Sequence, residues 1–329
     1  MSVTLNEVAR AAGVHPATAS RALNPETQGR VSAATVRRVR AAADRLGYQP
    51  NQVARGLRTR RSYTVGVLLP DLTNPLFPPI VRGADEVLGP AGFSPLIVNT
   101  DNDVGREERL VAALRARQAD GFIVATARRE HPLLSRLAAE DVPMVLVNRH
   151  TDDPAIPSVL ADEAAGVRLA VAHLRSLGHE RIAHVAGPQD LSTGNTRLRA
   201  FLEAAGESGP VAFAESYTEP AGAEAARALL SRRPTAVIAA NDLLALGVLD
   251  VLESEGLSCP DDVSVVGFND IPMMARLGLT TVHIPQRDIG AEAARVLLAR
   301  IEDPALRPGR LLLPCELIVR ASTSQRRIA

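Results

Sequence analysis

The sequence predicts an N-terminal all-α helix-turn-helix unit followed by an α/β body of two doubly wound parallel-sheet subdomains. Three observations carry this expectation. Within residues 4–47, small and apolar residues recur at helical spacing in three short runs broken by Gly13 and Gly47. From Tyr63 onward, runs of Val, Ile, Leu and Ala alternate with amphipathic stretches, and the alternation occurs twice. Charge divides along the same line. Residues 1–61 hold 11 arginines against three acids (Glu7, Glu26 and Asp44), a net of +8, while the remainder holds 26 against 34, a net of −8. A basic module on an acidic body is the footprint of a polyanion binder. At 329 residues and 46% hydrophobic content, the chain is long enough for more than one core.

Thr4 is placed to cap a first helix in which Leu5, Val8, Ala9 and Ala12 form one apolar face. Gly13 ends it. Pro16 then fits the first position of a second helix, where its missing N–H removes no hydrogen bond. On that helix Ala19 and Leu23 turn inward, while Ala17, Arg21 and Asn24 share another face. Ser32 caps a third helix, whose Val36, Val39, Ala43 and Leu46 close a small core before Gly47. Two short helices joined by a glycine turn and braced by a third form a helix-turn-helix. The second helix suits the major groove of double-stranded DNA. Ala17 and Ala19 permit close approach, Thr18 and Ser20 offer hydroxyls, and Arg21 can take guanine O6 and N7 together. The plainer alternative is a three-helix packing module with a solvated Arg21.

The connector PNQVARGLRTRRS follows. Asn51 to Leu57 spans two helical turns with Val53 and Leu57 on one face, but a helix this short containing Gly56 is not stable alone. Taken by itself the segment is a basic linker.

In the body, strands are expected at TVGVLL, SPLIVN, GFIVA and PMVLV, with helices near 79–91 and 105–117. After PSVLAD the rhythm resumes with a helix at 164–177, RIAHVAG, a helix at 197–205, TAVIAA, a helix at 242–255 and VSVVGF. Two such halves enclose a cleft, with the chain crossing between them near 161–163 and 284–290. Ligands in these sheets sit beyond the carboxyl ends of the strands. The residues found there are Asp71, Asn74, Leu76 and Phe77, then Asn148, the loop 189–197, Asn241 with Asp242, and Asn269 with Asp270. Each has a plainer reading. Arg197 fits the surface of an amphipathic helix, Asn241 and Asp242 fit a helix cap, and Phe77 fits the core.

These stretches also carry a family likeness. TLNEVARAAGVHPATASRALN, followed by RVSAATVRRVRAAADRLGYQPNQVARGLRTRRS, closely resembles the N-terminus of the lactose-repressor (LacI/GalR) family of bacterial regulators. The resemblance continues through VGVLLPDLTNPLF, GFIVAT, AANDLLALGVL and VVGFNDIP, so it spans almost the whole chain, and its motifs are specific in combination. It implies a DNA-binding domain over residues 1–49, a hinge over 50–61, and a ligand-binding and dimerisation domain of periplasmic-binding-protein-like fold over 62–329. The family's base-reading positions map onto Pro16, Ala17 and Arg21. Proline and alanine side chains donate no hydrogen bonds, so readout rests on Arg21, with His15 as an auxiliary. The hinge would form on DNA in a dimer, with Leu57 as the minor-groove wedge, Ala54 allowing two hinges to approach, and Asn51 opening the segment.

The family's sugar- or purine-binding positions map onto Leu76, Phe77, Asn148, Arg197, Tyr217, Asn241 and Asn269, and Thr193 joins them. Two departures stand out. Asn269 replaces the aspartate of many relatives, and Ile284 replaces their glutamine, so the lactose repressor's sugar contacts do not transfer as a set. The expected function is a ligand-responsive repressor bound as a homodimer to a pseudo-palindromic operator, with a small sugar-like effector in the cleft. No counterpart of the lactose repressor's leucine-repeat tetramer helix follows LLLPCELIVRAST, which favours a dimer.

Other classes fit less well. Cys259 and Cys315 show neither a disulfide framework nor metal spacing, which points to a reducing, cytoplasmic setting. MSVTLNEVAR lacks an apolar signal region, and no 18 apolar residues run together, so no membrane association is expected. HERIAH sets His179 and His184 five apart on a strand-like stretch, not the four that would align two zinc ligands on a helix. With no phosphate loop and no G-x-S-x-G, neither an enzyme nor a bound metal or cofactor is expected. The alternative from another class is a solute-binding protein without a DNA role. Residues 62–329 alone should bind ligand but not DNA under either reading, whereas the full chain binds DNA only under the first.

Overall fold

The computed structural model describes residues 3–24, 27–48, 61–206, 209–306 and 309–326. The chain forms two compact units, Met1–Ser62 and Tyr63–Ala329. The hinge positions Asn51, Ala54 and Leu57 lie outside the described residues.

In the first unit, α1 (Leu5–Ala11) begins with a capping box: the Glu7 carboxylate accepts from the Thr4 N–H at 2.7 Å, and the Thr4 hydroxyl accepts from the Glu7 N–H at 3.4 Å. Gly13, at φ +63°, turns the chain in a conformation that costs a glycine little. Helix α2 (Pro16–Leu23) starts on Pro16, and α3 (Ala33–Leu46) is capped by Ser32, which accepts from the Thr35 N–H at 3.3 Å. A 3-10 turn over Gln28–Arg30, which no periodicity announces, joins them. Val8, Ala9, Ala12, Ala19, Ala22, Val39, Ala42 and Ala43 form the core. Leu23, expected inward, is only partly buried, because Ala22 takes the central position against α3.

The second unit holds two six-stranded sheets. The first comprises β1 (Thr64–Leu69), β2 (Ser94–Asn99), β3 (Gly121–Val124), β4 (Met144–Val147), β5 (Ser158–Ala161) and β11 (Arg310–Leu313). Its order is β11-β5-β4-β3-β1-β2, with every pair parallel. The second comprises β6 (Ile182–Ala186), β7 (Val211–Phe213), β8 (Ala236–Ala239), β9 (Ser264–Asn269), β10 (Thr280–His283) and β12 (Glu316–Ile318). Its order is β12-β10-β9-β8-β6-β7, and β12 alone runs antiparallel. Strands β3, β4, β6, β8 and β9 are buried along their whole length, which is why they read as unbroken apolar runs. In both sheets the order reverses beside the first strand of the half. There adjacent connections leave for opposite faces and open a crevice at the carboxyl ends.

Helices cover both sheets: α4 (Phe77–Leu88), α5 (Val104–Ala116), α6 (Pro132–Ala139), α7 (Glu163–Ser176), α8 (Ser192–Ala205), α9 (Glu219–Leu230), α10 (Asp242–Ser254), α11 (Met274–Leu277) and α12 (Gln286–Glu302). The chain passes between subdomains three times: from β5 into α7, from β10 into α12, and from β11 into β12. The third passage was not foreseen. Helices α4 and α12 meet backbone to backbone. A Cβ at Gly83 would lie 1.9 Å from the Arg287 carbonyl oxygen, and one at Gly290 would lie 1.8 Å from that of Ile80.

Candidate functional site

The first unit presents α2 with Ala17 and Arg21 exposed and Pro16, Thr18, Ser20 and Asn24 partly buried. The Arg21 side chain makes no hydrogen bond or ion pair with described residues. The exposed His15 serves as the N-cap, its Nδ1 accepting from the Ala17 N–H at 3.3 Å. Its role on the free helix is therefore to hold the first turn, with Nε2 left for another partner.

In the second unit, the loops beyond β1, β4, β6, β7, β8 and β9 converge on one space. From the first subdomain come Asn74, Leu76 and Phe77 after β1, and Asn148 and Arg149 after β4. From the second come Thr193 and Arg197 on α8, Tyr217, Asn241 and Asn269. The space thus takes in Asn74 and all eight positions that the family likeness marks, whereas Asp242 and Asp270, also expected beyond the strand ends, do not line it. Asp71 is not among its lining residues: its carboxylate accepts from the Thr73 N–H at 2.8 Å and hydroxyl at 2.7 Å, closing its own turn.

Two of these asparagines occupy backbone that most side chains avoid. Asn148 has φ +62° and Asn269 φ +110°, each at the carboxyl end of a central strand. Asparagine tolerates such angles better than most residues, and strain of this kind concentrates at functional sites. Asn241 caps α10, its Oδ1 accepting from the Leu244 N–H at 2.8 Å. Thr193 Oγ1 and the Tyr217 hydroxyl lie 2.9 Å apart. Tyr217 also packs on Gly187, where a Cβ would come within 2.5 Å of the ring.

Arg197 is 2% exposed, so the surface reading does not hold. Its guanidinium lies 3.9 Å from the Phe268 ring centroid, donates to Glu163 Oε1 at 2.5 Å and to Asn269 Oδ1 at 3.4 Å, and donates to the Ala240 carbonyl. Burial pushes the Glu163 carboxyl up, and the adjacent arginine opposes that shift. Beside it, Asp242 accepts from the Thr281 hydroxyl at 2.6 Å and from the Ile271 N–H at 2.8 Å. Burial pushes its carboxyl up to about 7. Phe77 is 1% exposed and belongs to the core while also lining the space, so its two readings are compatible.

The mouth of the cleft is bridged. Arg128 meets Asp190 at 2.5 Å, the Arg129 N–H donates to the Asp190 carbonyl at 2.9 Å, and the His150 N–H donates to Ser192 Oγ at 2.9 Å. Each of these bridges joins the first subdomain to the second. Sequence reasoning missed Arg149 and Glu163. The rule that selected Asn148, position just past a buried strand, applies equally to Arg149. Glu163 offered no signal beyond an acid in the first turn of a helix.

No helix among the described residues is long and apolar enough to cross a membrane, and no group of three His, Cys, Asp or Glu residues there could hold a metal ion. Cys259 and Cys315 are free, and burial pushes their thiols up to about 11 and about 12.

Comparison with known proteins places these features in a family. The family model of bacterial regulatory proteins, lacI family, matches residues 4–51, and that of a periplasmic binding protein-like domain matches residues 171–323. The ribose operon repressor of Halalkalibacterium halodurans is 35% identical over 97% of this chain and 97% of its own length. Among solved structures, the lac repressor dimer bound to operator and the anti-inducer ONPF superposes with a TM-score of 0.85 at 28% identity, over 98% of this chain and 100% of that one. The complex of the transcriptional regulator CelR with cellobiose superposes with a TM-score of 0.73 at 34% identity, over 97% of this chain and 99% of that one. This chain belongs to the LacI family of bacterial regulatory proteins.

Proposed function

We propose that this chain is a ligand-responsive transcriptional repressor that binds a pseudo-palindromic DNA operator as a homodimer and takes a small sugar-like effector in the cleft of its second unit. The observation that carries the reading is the combination, in one chain, of a basic three-helix unit with Arg21 free on its second helix and a two-subdomain body whose strand ends converge on a polar space. On DNA, α2 enters the major groove, Arg21 reads a guanine in each half-site, and Thr18, Ser20 and Asn24 contact backbone or base edges beside it. His15 and the two non-donating residues Pro16 and Ala17 set how closely the helix approaches. The segment from Asn51 to Leu57 is the switch. Leu57 wedges the minor groove, Ala54 faces its twin, and ordering the segment costs about 1–2 kcal/mol of backbone entropy per residue, which DNA contacts must offset.

The relatives' names support a sugar-class effector: a ribose operon repressor, a cellobiose-bound regulator and two ribose-bound members. In the cleft, Asn148, Thr193, Tyr217, Asn241 and Asn269 present neutral hydrogen-bonding groups of the kind that match hydroxyls, and Leu76 and Phe77 give an apolar floor. Two measurements test the reading. The full chain should shift an operator-bearing duplex in a gel while residues 62–329 should not. Hydrogen exchange over residues 51–57 should slow on operator and change again when effector is added. Equal protection in all states would reduce the segment to a linker, and no duplex selected by the full chain from a random library would remove the repressor reading.

A further inference from the structure

Two guanidinium groups line the cleft, and they stand in opposite situations. Arg197 is matched: Glu163 takes its charge at 2.5 Å, and the Ala240 carbonyl, Asn269 and the Phe268 face complete its surroundings. Arg149 is not. It is 7% exposed and its side chain makes no hydrogen bond and no ion pair with any described residue; its Nε, like that of Arg197, is buried with no partner. Burial lowers its pKa from the ordinary arginine value, and Tyr217, Arg128, Asp190 and Arg197 lie near enough to act on it, although Asp190, the carboxylate among them, makes its ion pair with Arg128. An arginine stays protonated even so.

The carboxylates nearby are already engaged. Glu163 faces Arg197, Asp190 at the mouth is paired with Arg128 at 2.5 Å, and both oxygens of Asp242 accept from Thr281 and Ile271. The remaining lining side chains are neutral. Two arginines thus line the space, and the carboxylate that forms an ion pair with either of them, Glu163, sits on Arg197, which leaves Arg149 a charged group removed from solvent with no ion pair among the described residues. A buried charge without a counter-charge is strongly unfavourable, and a planar guanidinium is suited to two parallel hydrogen bonds from a carboxylate or phosphoryl group.

We propose that the effector of this cleft carries an anionic group, carboxylate or phosphoryl, on a hydroxylated skeleton, and that Arg149 selects it. This rests on the cleft being the effector site. The neutral asparagines and Thr193 would take the hydroxyls, and Arg149 the charge that distinguishes a sugar acid or sugar phosphate from its parent sugar.

The test is calorimetric titration of the full-length protein with matched pairs: D-ribose against D-ribose 5-phosphate, D-glucose against D-glucose 6-phosphate, and D-glucose against D-glucuronate. In at least one pair the anionic member should bind tenfold or more tightly than its parent, and which pair does so separates phosphoryl from carboxylate. Arg149→Gln should erase the difference within that pair, and Arg149→Lys should keep part of it, with circular dichroism showing each variant folded. The proposal is overturned if neutral members bind as tightly as anionic ones, if no anionic member binds, or if a folded Arg149→Gln keeps the preference. Should a neutral sugar bind and Asn241→Ala weaken it, the cleft reading survives and only the anionic proposal falls. Should no probe bind or alter operator affinity, both fall.

Discussion

Arg197 Nη2 and Glu163 Oε1 lie 2.5 Å apart, with both residues buried, so that the first turn of α7 is joined to α8 by an ion pair almost sealed from water. The pair fixes the arginine that lines the cleft, and it makes that arginine dependent on one carboxylate. Removing one partner of such a pair costs about 3–5 kcal/mol, because the other is left charged and buried. Glu163→Ala is therefore expected to lower the stability of the second unit by that amount in urea unfolding followed by circular dichroism. The double change Glu163→Leu with Arg197→Met should cost clearly less than the sum of the single changes. Additive losses would mean the two residues act independently.

Gly290 offers a test of packing in which two effects oppose each other. Alanine gains about 0.5–1 kcal/mol of helix stability over glycine. Its Cβ would sit 1.8 Å from the Ile80 carbonyl oxygen, a backbone atom that moves only if α4 and α12 separate. Overpacking costs typically about 1–3 kcal/mol, so the clash wins. Gly290→Ala should lower the melting temperature, and an unchanged or higher value would show that the helices can part freely.

Asp242 should make stability pH-dependent in an unusual direction. Its carboxyl is pushed from an ordinary 3.8 up to about 7 by burial, so the folded chain holds this proton more tightly than the unfolded chain. Its contribution is then fullest below about pH 4, declines as pH rises toward about 7, and is flat above, with a limiting slope of about 1.4 kcal/mol per pH unit. Asp242→Asn cannot titrate. The stability of the native chain relative to this variant should therefore fall between pH 5 and pH 7. A difference that is constant over that interval, measured by urea titration, would show an ordinary carboxyl.

The bridge between Arg128 and Asp190 is half open to solvent, with side chains 36% and 52% exposed. Exposed pairs contribute about 0–1 kcal/mol. Asp190→Asn should accordingly weaken effector affinity by less than about fivefold, and added salt should reduce even that difference. A loss of a hundredfold would mean that the bridge, and not the cleft residues, holds the subdomains together.

Arg21→Ala should cost about 1–3 kcal/mol per operator half-site and relax preference at one symmetric base position. Selection of binding sites from a random duplex library, with native and variant protein side by side, reads both effects. If affinity falls equally on every sequence, Arg21 touches phosphate only.

Much of this architecture is legible without coordinates, and the reasons can be named. The central strands are buried on both faces and so appear as pure apolar runs. Thr4, Pro16, Ser32 and Gly47 are local signals that need no tertiary context. The elements that stayed hidden lack one of these properties. Strand β7 is three residues long, and β11 and β12 are edge strands with mixed exposure. Helix α8 begins at Ser192 and not at 197, because its first turn, Ser-Thr-Gly-Asn, has no apolar periodicity and is held by contacts to the cleft. That turn places Thr193 beside Tyr217, a meeting of residues 24 apart that spacing alone does not reveal. The pairing of Glu163 with Arg197 is hidden for the same reason, since the two lie 34 residues apart on different helices.

The three passages between subdomains have a consequence for biosynthesis. The sheet that opens with β1 at Thr64 is completed only by β11 at Arg310–Leu313, and α12, which covers its face through Ile289 and Leu297, begins at Gln286. The subdomain whose first strand leaves the ribosome earliest is thus among the last to be finished. A nascent chain ending near residue 280 would carry β1–β5 with an uncovered apolar face and an unpaired edge, the kind of surface that recruits chaperones. The three-helix unit, by contrast, has its core complete by Tyr48, so a polyanion-binding module is exposed while most of the body that would regulate it has yet to be translated.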